Sequence, residues 1–265
     1  MDIAIITGAS SGMGKEFVRQ FSQYVTVQEV WVIARREAQL KQLQDICPVT
    51  VRPIPLDLCD EKSFDTLSAL LEQEKPDVKL LVNASGFGKF GRFEKIPLTD
   101  ELRMIDLNCK ALVAVTRLVL PYMHAGSHVL QLDSLSAFQP VPFITTYGAT
   151  KSFVLSYSRA MNAELKGTGI RMMAMNPGWV KTEFFNHALQ TSTSDVQYFS
   201  RLYEADAVVA TGLKHLYKTK KDVSIHGLPV RNQVRLVKLL PHKIVMKVWM
   251  NQQKKPKNNT GLTND

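Results

Sequence analysis

A tyrosine and a lysine four residues apart could carry out acid–base chemistry. Tyr147 and Lys151 lie in a segment with a helical pattern, so their spacing places both side chains on one face. A phenol has a pKa of about 10, and a neighbouring ammonium stabilises the phenolate and lowers that pKa. The pair therefore predicts a proton donor to a ketone oxygen, or an acceptor from an alcohol, near neutral pH. The spacing alone is weak evidence, because both residue types are common on helices.

A glycine-rich turn close to the first residue could hold a phosphate. It follows a short apolar run and precedes a helical pattern. Gly8 permits a tight turn, Gly12 lets the backbone approach phosphate, and Gly14 allows close packing of helix on strand. The helix directs its free N–H groups and positive end at a pyrophosphate. The alternative, a turn that binds nothing, is disfavoured by its place between strand and helix. The predicted cofactor contacts in this turn are Gly8, Ser10, Ser11, Gly12, Met13 and Gly14.

The residues after the second apolar run indicate which dinucleotide would bind. Ala34 is followed by Arg35 and Arg36, and no acidic residue occurs until Glu37. Guanidinium groups suit a 2′-phosphate, whereas a site for NAD would place a carboxylate here. We therefore predict NADP(H), with Arg35 as the first contact and Arg36 as the second. Lys15 could add to the same positive field or lie in solvent.

Short apolar runs alternate with longer amphipathic segments along most of the chain. This alternation predicts a parallel sheet with helices on both faces, and right-handed crossovers make it doubly wound. The fold class is therefore α/β, a Rossmann sheet of about seven strands. The predicted strands cover 3–7, 29–34, 50–56, 80–82, 129–133, 170–175 and a weaker 223–225. The predicted helices cover about 12–24, 36–46, 60–74, 98–124, 146–166 and 204–218.

These motifs, in this order, make the sequence similar to the short-chain dehydrogenase/reductase family over about residues 2–225. Ser134 lies thirteen residues before Tyr147, where the family's catalytic serine hydrogen-bonds the substrate oxygen. Asn108 matches the asparagine that kinks its helix and holds a water beside the lysine. The resemblance implies a hydride transferred between NADP(H) and a carbonyl or secondary alcohol. In that scheme Ser134 and Tyr147 polarise the oxygen, Tyr147 gives up its proton, and Lys151 helps to restore it.

The resemblance also implies further cofactor contacts. Asp57 and Leu58 look like the pair that contacts adenine, and the segment 177–182 matches the one that closes over the nicotinamide. The turn after the fourth strand resembles the family's loop that lies beside the adenosine ribose. The contacts carried over in this way, with Tyr147 and Lys151, are Asp57, Leu58, Asn83, Ala84, Gly86, Pro177, Gly178, Val180 and Thr182.

Two positions depart from the family's pattern. The family commonly has Asn-Asn-Ala-Gly after the fourth strand, where this chain has Asn83, Ala84, Ser85 and Gly86. One amide is lost, and Ser85 could partly replace it. Asp133 precedes Ser134 where the family usually has a small or apolar residue. Strand alternation predicts that Asp133 points away from the substrate and hydrogen-bonds a neighbouring helix, in preference to a catalytic role.

Two segments should determine the substrate. The run 138–143 joins Ser134 to Tyr147 and is apolar, with two prolines. The run 183–203 begins with aromatic residues, and we interpret it as a mobile lid. Both predict a lipophilic carbonyl, unless the aromatic residues simply pack on the core.

The positive charge is concentrated near the C-terminus. The chain has 265 residues and a net charge of +9, and twelve Lys or Arg between 214 and 257 are opposed only by Asp222. We expect one Rossmann domain over 1–228 and a basic amphipathic extension over 229–265, which Pro241 divides into two helical pieces. This extension could lie on an anionic membrane, cover the substrate pocket or form a subunit interface. Without a ladder of aromatic residues it does not predict nucleic-acid binding.

The cysteine spacing and the lengths of the apolar runs bear on metal binding and on the cellular compartment. Cys47, Cys59 and Cys109 lack CxxC spacing, which predicts neither disulfides nor a zinc site, and no metal is expected. No leader precedes the first motif and no run approaches the ~20 apolar residues that span a bilayer, so we expect a cytoplasmic protein. The leading hypothesis is an NADP(H)-dependent reductase of an apolar ketone or aldehyde. By analogy with the family, we also expect a homo-oligomer. The rival is a non-catalytic NADP(H)-binding sensor or scaffold whose tail contacts a membrane or protein.

Overall fold

Seven parallel strands form the central sheet of the computed structural model, which describes residues 1–189, 195–199 and 201–254. Their order is β3-β2-β1-β4-β5-β6-β9, so the chain runs outward from β1 on one side and then crosses to β4 on the other. This reversal places a topological switch point between β1 and β4. The seven strands are β1 (Asp2–Thr7), β2 (Glu29–Ala34), β3 (Thr50–Pro55), β4 (Asp77–Asn83), β5 (His128–Leu132), β6 (Arg171–Met175) and β9 (Val223–Ser224).

The central strands are buried on both faces, which explains their continuous apolar sequences. In β1 the side chains of Ile3 and Ile5 enter one core, and those of Ala4 and Ile6 enter the other. All four are fully buried. The predicted α/β class and its seven strands are confirmed.

Helices cover both faces of the sheet. The segment predicted as one helix over 98–124 is divided into α4 and α5 by a π-helical turn at Asp106–Lys110. The helices up to the last sheet strand are α1 (Gly12–Gln20), α2 (Glu37–Lys41), α3 (Lys62–Glu74), α4 (Leu98–Ile105), α5 (Ala111–Val119), α6 (Thr145–Glu164), α7 (Glu183–Leu189) and α8 (Ala205–Lys218). Short 3-10 turns continue α1 to Gln23 and α2 to Ile46, close to the ends of their predicted ranges.

Three elements were not predicted from the sequence. Two-residue strands β7 (Trp179–Val180) and β8 (Leu202–Tyr203) pair with each other, and α7 lies between them in the chain. The predicted lid over 183–203 therefore contains α7 and β8, while its residues 190–194 and 200 lie outside the described part of the chain.

The C-terminal extension forms two helices, α9 (Leu228–Leu239) and α10 (His242–Gln253). They are divided at Pro241, as expected from a residue that cannot continue a helix. Residues 255–265 of the predicted extension lie outside the described residues. No described helix has the length and apolar character needed to cross a membrane.

Candidate active site

The glycine-rich turn lies at the carboxyl end of β1, beside the switch point. Gly8 has a φ of +66°, and a Cβ there would lie 2.7 Å from the backbone of Ala84. A Cβ on Gly14 would overlap the carbonyl oxygen of Gly8. The first turn of α1 has no side-chain cap, so its N–H groups can bind an anion. This cradle fits a dinucleotide pyrophosphate.

Arg36 extends from the end of β2 towards the glycine turn. Its Nε and Nη2 donate to the hydroxyl of Ser10 at 3.3 and 3.2 Å, and its guanidinium pairs with Glu183 of α7 at 3.3 Å. Arg35 lines the same cleft and is exposed. Both predicted arginines therefore lie at the rim of the cleft, and Arg36 is the one that contacts the glycine turn. Asp57 also lies here and pairs with Arg103 at 3.4 Å.

The turn after β4 is held in place by Thr7. The buried hydroxyl of Thr7 accepts hydrogen bonds from the backbone N–H groups of Ala84 and Ser85, each at 3.1 Å. The Asn83 amide instead donates to Thr116 at 3.0 Å beneath the cleft. Asn83, predicted as a cofactor contact, is thus absent from the described cleft lining because its side chain faces α5.

Ser134 and Tyr147 lie together on the floor of the cleft. Ser134 caps a 3-10 turn, and its Oγ accepts the N–H of Ser136 at 3.2 Å. Burial raises the pKa of the Tyr147 phenol, and a hydrogen bond with Ser134 opposes that shift, while the Asp133 charge adds to the rise in pKa. The sequence predicted a lowered pKa for this phenol, and this prediction is wrong because burial raises the pKa by more than the Ser134 hydrogen bond lowers it.

Lys151 is also buried, one helical turn after Tyr147. Its ammonium donates a 2.7 Å hydrogen bond to the carbonyl oxygen of Leu132 at the end of β5. The Nζ atom lies 5.7 Å from the centroid of the Tyr147 ring. Burial lowers the pKa of Lys151, and the Asp133 charge opposes this. The predicted Tyr–Lys pair therefore shares one face of α6.

Asn108 lies in the π-helical turn and is buried. Its Oδ1 accepts the N–H of Phe87 at 3.1 Å, and its Nδ2 donates to the carbonyl of Phe87 and to Thr150, both at 3.0 Å. A Cβ at Gly86 would lie 3.0 Å from Asn108 Oδ1. The side chain thus fixes the turn after β4 against α6, while staying behind the cleft wall rather than lining it.

The Asp133 carboxylate is bound by an asparagine from the next strand. Asn176, just after β6, donates through Nδ2 to Asp133 Oδ2 and to the carbonyl of Ser134, the latter at 3.0 Å. The expected partner was on a helix, and this expectation is wrong because β5 and β6 end side by side. Asp133 also lines the cleft together with Lys151, although it was predicted to point away.

An apolar cavity continues from Tyr147 towards the C-terminal helices, and the whole cleft has a volume of about 1040 Å³. Trp249 of α10 stacks on Trp179, with ring centroids 6.4 Å apart. The side chain of Gln253 accepts the N–H groups of Gln197 and Tyr198 at 3.0 and 3.1 Å, tying α10 to the lid segment. Of the three interpretations of the extension, covering the pocket is the one seen here. Apolar lining residues include Phe90, Phe138, Val141, Ile144, Trp179, Phe184, Phe185, Val234, Val237, Val245 and Trp249.

Most of the predicted site residues line this single cleft, and the exceptions are Asn83 and Asn108. Sequence reasoning missed Thr7, Asn176 and Trp249 as site residues. Thr7 directly precedes the glycine turn, and Asn176 directly precedes the segment 177–182. Their positions beside these motifs were the signal that could have identified them. Trp249 stands more than 60 residues beyond the last motif.

Comparison with known proteins identifies the family pattern independently. The chain matches the family model described as short chain dehydrogenase over residues 2–193. It is 35% identical over 189 residues to sulfoacetaldehyde reductase 2 of Chromohalobacter salexigens, an alignment covering 69% of this chain and 74% of that protein. It is 32% identical over 188 residues to the NADP-dependent 3-hydroxy acid dehydrogenase YdfG of Escherichia coli K12, covering 69% and 75%.

A solved structure shows the same fold over nearly the whole chain. It is a short-chain dehydrogenase from Sphingobium yanoikuyae in complex with NADPH, with a TM-score of 0.76 and 24% identity, covering 99% of both chains. This similarity includes the region of α9 and α10, which lies beyond the family-model match.

Proposed function

Because the chain belongs to the short-chain dehydrogenase family, we propose that it reduces an apolar ketone or aldehyde with NADPH. The observation that carries this proposal is the grouping of Ser134, Tyr147 and Lys151 between a phosphate cradle and an apolar cavity. A hydroxyl pair and a buried ammonium at that junction suit proton transfer to a carbonyl oxygen.

The cofactor is NADP(H), held by the cleft residues that the sequence predicted. The glycine turn and the first turn of α1 would bind the pyrophosphate, and Arg35 and Arg36 would bind the 2′-phosphate. Asp57, Leu58 and the segment 177–182 line the same cleft. Asp57 and Leu58 would hold the adenine, and 177–182 would hold the nicotinamide. When bound, NADPH supplies the hydride for the carbonyl carbon.

The chain's own residues handle the oxygen and its proton. The hydroxyls of Ser134 and Tyr147 hold the carbonyl oxygen, and Tyr147 donates its proton as charge develops there. Burial keeps the phenol protonated near neutral pH, because it raises the Tyr147 pKa. Lys151 restores the proton, and Asn108 acts indirectly by fixing Phe87 and the turn after β4.

The lining of the cavity supports a lipophilic substrate. The two named relatives have names that refer to sulfoacetaldehyde and hydroxy acids, which are small and acidic. Here the region around Tyr147 is built from Phe90, Phe184 and other rings, with Phe184 5.5 Å from the Tyr147 ring. Apolar surface of this kind favours an apolar ligand, since burying an unpaired carboxylate or sulfonate there is costly.

The first test is NADPH oxidation, followed at 340 nm, with aldehydes and ketones graded in length and polarity. We expect turnover to rise with apolar chain length and to fall by at least 100-fold in Tyr147→Phe, which removes the proton donor. Arg35→Asp and Arg36→Asp, measured by NADPH titration, should weaken cofactor binding. A Tyr147→Phe enzyme with normal turnover would refute the mechanism, and tight NADPH binding without turnover on any substrate would favour the sensor or scaffold.

Pairing of two copies through the long helices is part of the same proposal. Leu98, Leu102 and Ile105 on α4 and Phe153 on α6 are all more than 40% exposed. Exposed apolar residues on adjoining helices are typical of an interface. Light scattering should give twice the 29.8 kDa monomer mass or more, and Leu102→Glu with Phe153→Glu should reduce it to a monomer.

We further propose that α9 and α10 contact an anionic membrane surface. Leu239 and Ile244 are at least 47% exposed, and no acidic residue occurs over 223–254. Apolar side chains beside lysines suit an anionic lipid surface. Flotation with vesicles containing phosphatidylserine tests it, and an absence of binding at low salt refutes it. The cytoplasmic location stays a prediction.

A further inference from the structure

We infer that the apolar cavity opens beside α9 and α10 onto the surface that contacts an anionic membrane, so that a lipid-soluble carbonyl substrate enters directly from the bilayer. This inference rests on the proposed reduction of an apolar ketone or aldehyde. It deepens that function, because it names where the substrate is held before it reaches Tyr147 and the route by which it arrives.

Two side chains mark the mouth of the cavity, because each lines the cleft and is also half exposed. Leu236 of α9 is 56% exposed and Val248 of α10 is 51% exposed, and both line the cleft that contains Tyr147. Deeper in the cleft, Val237 and Trp249 of the same two helices line the wall and are buried. A side chain that belongs both to the wall and to the surface stands at an opening, so the cavity opens beside α9 and α10.

The apolar lining continues outwards from this mouth. Leu239 follows Leu236 by three residues, and Ile244 precedes Val248 by four, so each pair is adjacent on the surface of its helix. Leu239 is 82% exposed and Ile244 is 47% exposed. An apolar path therefore leads from the cavity wall across the mouth to the outer face of both helices. Exposed apolar surface of this kind is typical of a site that contacts a membrane or another protein.

The charges beside this path favour an anionic membrane as its partner. The Nζ atom of Lys238 lies 4.9 Å from the centroid of the Phe138 ring, which lines the cleft. Lys247 follows Ile244 by three residues, and no acidic residue occurs over 223–254. Apolar side chains next to lysines suit a bilayer, where the former enter the acyl boundary and the latter meet anionic headgroups. A second copy of this chain would bring the same cations to the contact, and facing like charges oppose association.

The position of the mouth defines a class of substrate. A molecule that passes from the acyl region along this path meets apolar side chains until it reaches Ser134 and Tyr147, where its carbonyl oxygen is held. A long-chain alkyl ketone satisfies this condition, because its carbonyl is its only polar group. A small acid does not, because it stays in water rather than entering the bilayer. Hydride from NADPH and the proton from Tyr147 convert such a ketone to the secondary alcohol.

The first experiment compares a long ketone in vesicles with a short ketone in water, with NADPH oxidation as the readout. Nonadecanone is incorporated into vesicles of phosphatidylcholine alone or of phosphatidylcholine and phosphatidylserine in equal parts, and octanone is supplied in solution. We expect the anionic vesicles to raise nonadecanone turnover at least tenfold at low salt and to leave octanone turnover unchanged. Octanone turnover without this stimulation would overturn the inference and leave the reductase intact. An absence of turnover with both ketones would refute the proposed function and the inference with it.

Charge reversal on the outer face tests the membrane contact separately from the chemistry. The double variant Leu239→Glu with Ile244→Glu changes two exposed residues that are absent from the described cleft lining. It should lose the stimulation by anionic vesicles and keep the octanone turnover of the wild type. Phe93→Glu is the matched control, because Phe93 is 75% exposed on a 3-10 turn outside α9 and α10. A control that loses the stimulation equally would overturn the assigned surface.

A larger side chain in the mouth tests the route of entry separately from membrane contact. Leu236→Trp places a larger ring where the cavity opens, so nonadecanone turnover from anionic vesicles should fall at least tenfold. Flotation with the same vesicles should be unchanged, because Leu239 and Ile244 remain in place. Unchanged turnover in folded Leu236→Trp protein would show that the substrate enters elsewhere and would overturn the inference.

Discussion

The indole N–H of Trp249 donates a 2.9 Å hydrogen bond to the carbonyl oxygen of Pro142. This bond joins the last described helix to the loop between Ser134 and Tyr147, more than 100 residues earlier in the chain. The ring itself is buried against Trp179. The C-terminal helix and the substrate-side loop therefore keep a common position, and Trp249 sets one wall of the cavity.

Replacing Trp249 should separate packing from hydrogen bonding. Trp249→Ala removes a buried ring and should lower the free energy of unfolding by about 3 kcal/mol. Trp249→Phe keeps most of the ring and should lose about 1 kcal/mol, the contribution of one hydrogen bond. Urea denaturation measures both. If Trp249 forms part of the substrate cavity, Trp249→Ala should also raise KM for apolar ketones more than it lowers kcat. A side chain far from the reacting atoms contacts the substrate and the transition state equally.

Two glycines that differ in the space around them provide a test of the phosphate cradle. Gly14→Ala would force a Cβ onto the carbonyl oxygen of Gly8, so the turn must open and NADPH affinity should fall by at least tenfold. Gly148→Ala is the control, because its Cβ would meet nothing closer than 3.9 Å. In helix α6 that change should stabilise the fold by about 0.5–1 kcal/mol and leave NADPH affinity unchanged. Equal loss in both variants would contradict the assigned cradle.

The pair between Arg36 and Glu183 should compete with the cofactor phosphate. Both side chains are about half exposed, so the ion pair itself contributes little to stability. A 2′-phosphate would need the same guanidinium, and the Glu183 charge would repel it. Glu183→Gln should therefore tighten NADPH binding by about two- to fivefold and leave NADH binding unchanged. Isothermal titration with both cofactors at low and high salt gives the answer, and equal effects on NADH and NADPH would show that Glu183 acts elsewhere.

The strands could be predicted because their signal is local. The residues of β1 and β4 are buried on both faces, and such strands have continuous apolar sequences that a short window detects. The glycine turn and the Tyr–Lys pair were equally local, since each depends on spacing within one element. The predicted NADP(H) agrees with the relative whose name states that it is NADP-dependent.

The remaining features depend on contacts between distant parts of the chain. The helical pattern over 98–124 continues through Asn108, and the π-helical turn is held by bonds to Phe87 and Thr150. The partner of Asp133 depends on which strands end side by side. The direction of the Tyr147 pKa depends on total burial, which no local pattern reports. For the same reason the sequence could not decide among the three interpretations of α9 and α10.

Two half-buried histidines should make the fold sensitive to mild acid. Burial lowers the pKa of His128 to about 4, with a smaller contribution from Arg171, and burial with nearby lysines also lowers the pKa of His215 to about 4. Between pH 6.5 and 4 the unfolded chain binds protons that the folded chain does not. The part of the stability that these two histidines contribute is therefore complete above pH 6.5 and is lost as the pH drops towards 4.

Variants at His128 can isolate this contribution from that of the carboxylates. The ring of His128 lies 4.3 Å from that of Tyr217, so His128→Phe retains an aromatic contact while removing the titrating group. Urea unfolding at pH 7 and at pH 5 should show a smaller loss of stability in His128→Phe than in the wild type. The exposed His242 at the start of α10 provides the control, and His242→Phe should keep the wild-type pH dependence. If all three proteins lose the same free energy between the two pH values, the acid sensitivity arises from other groups.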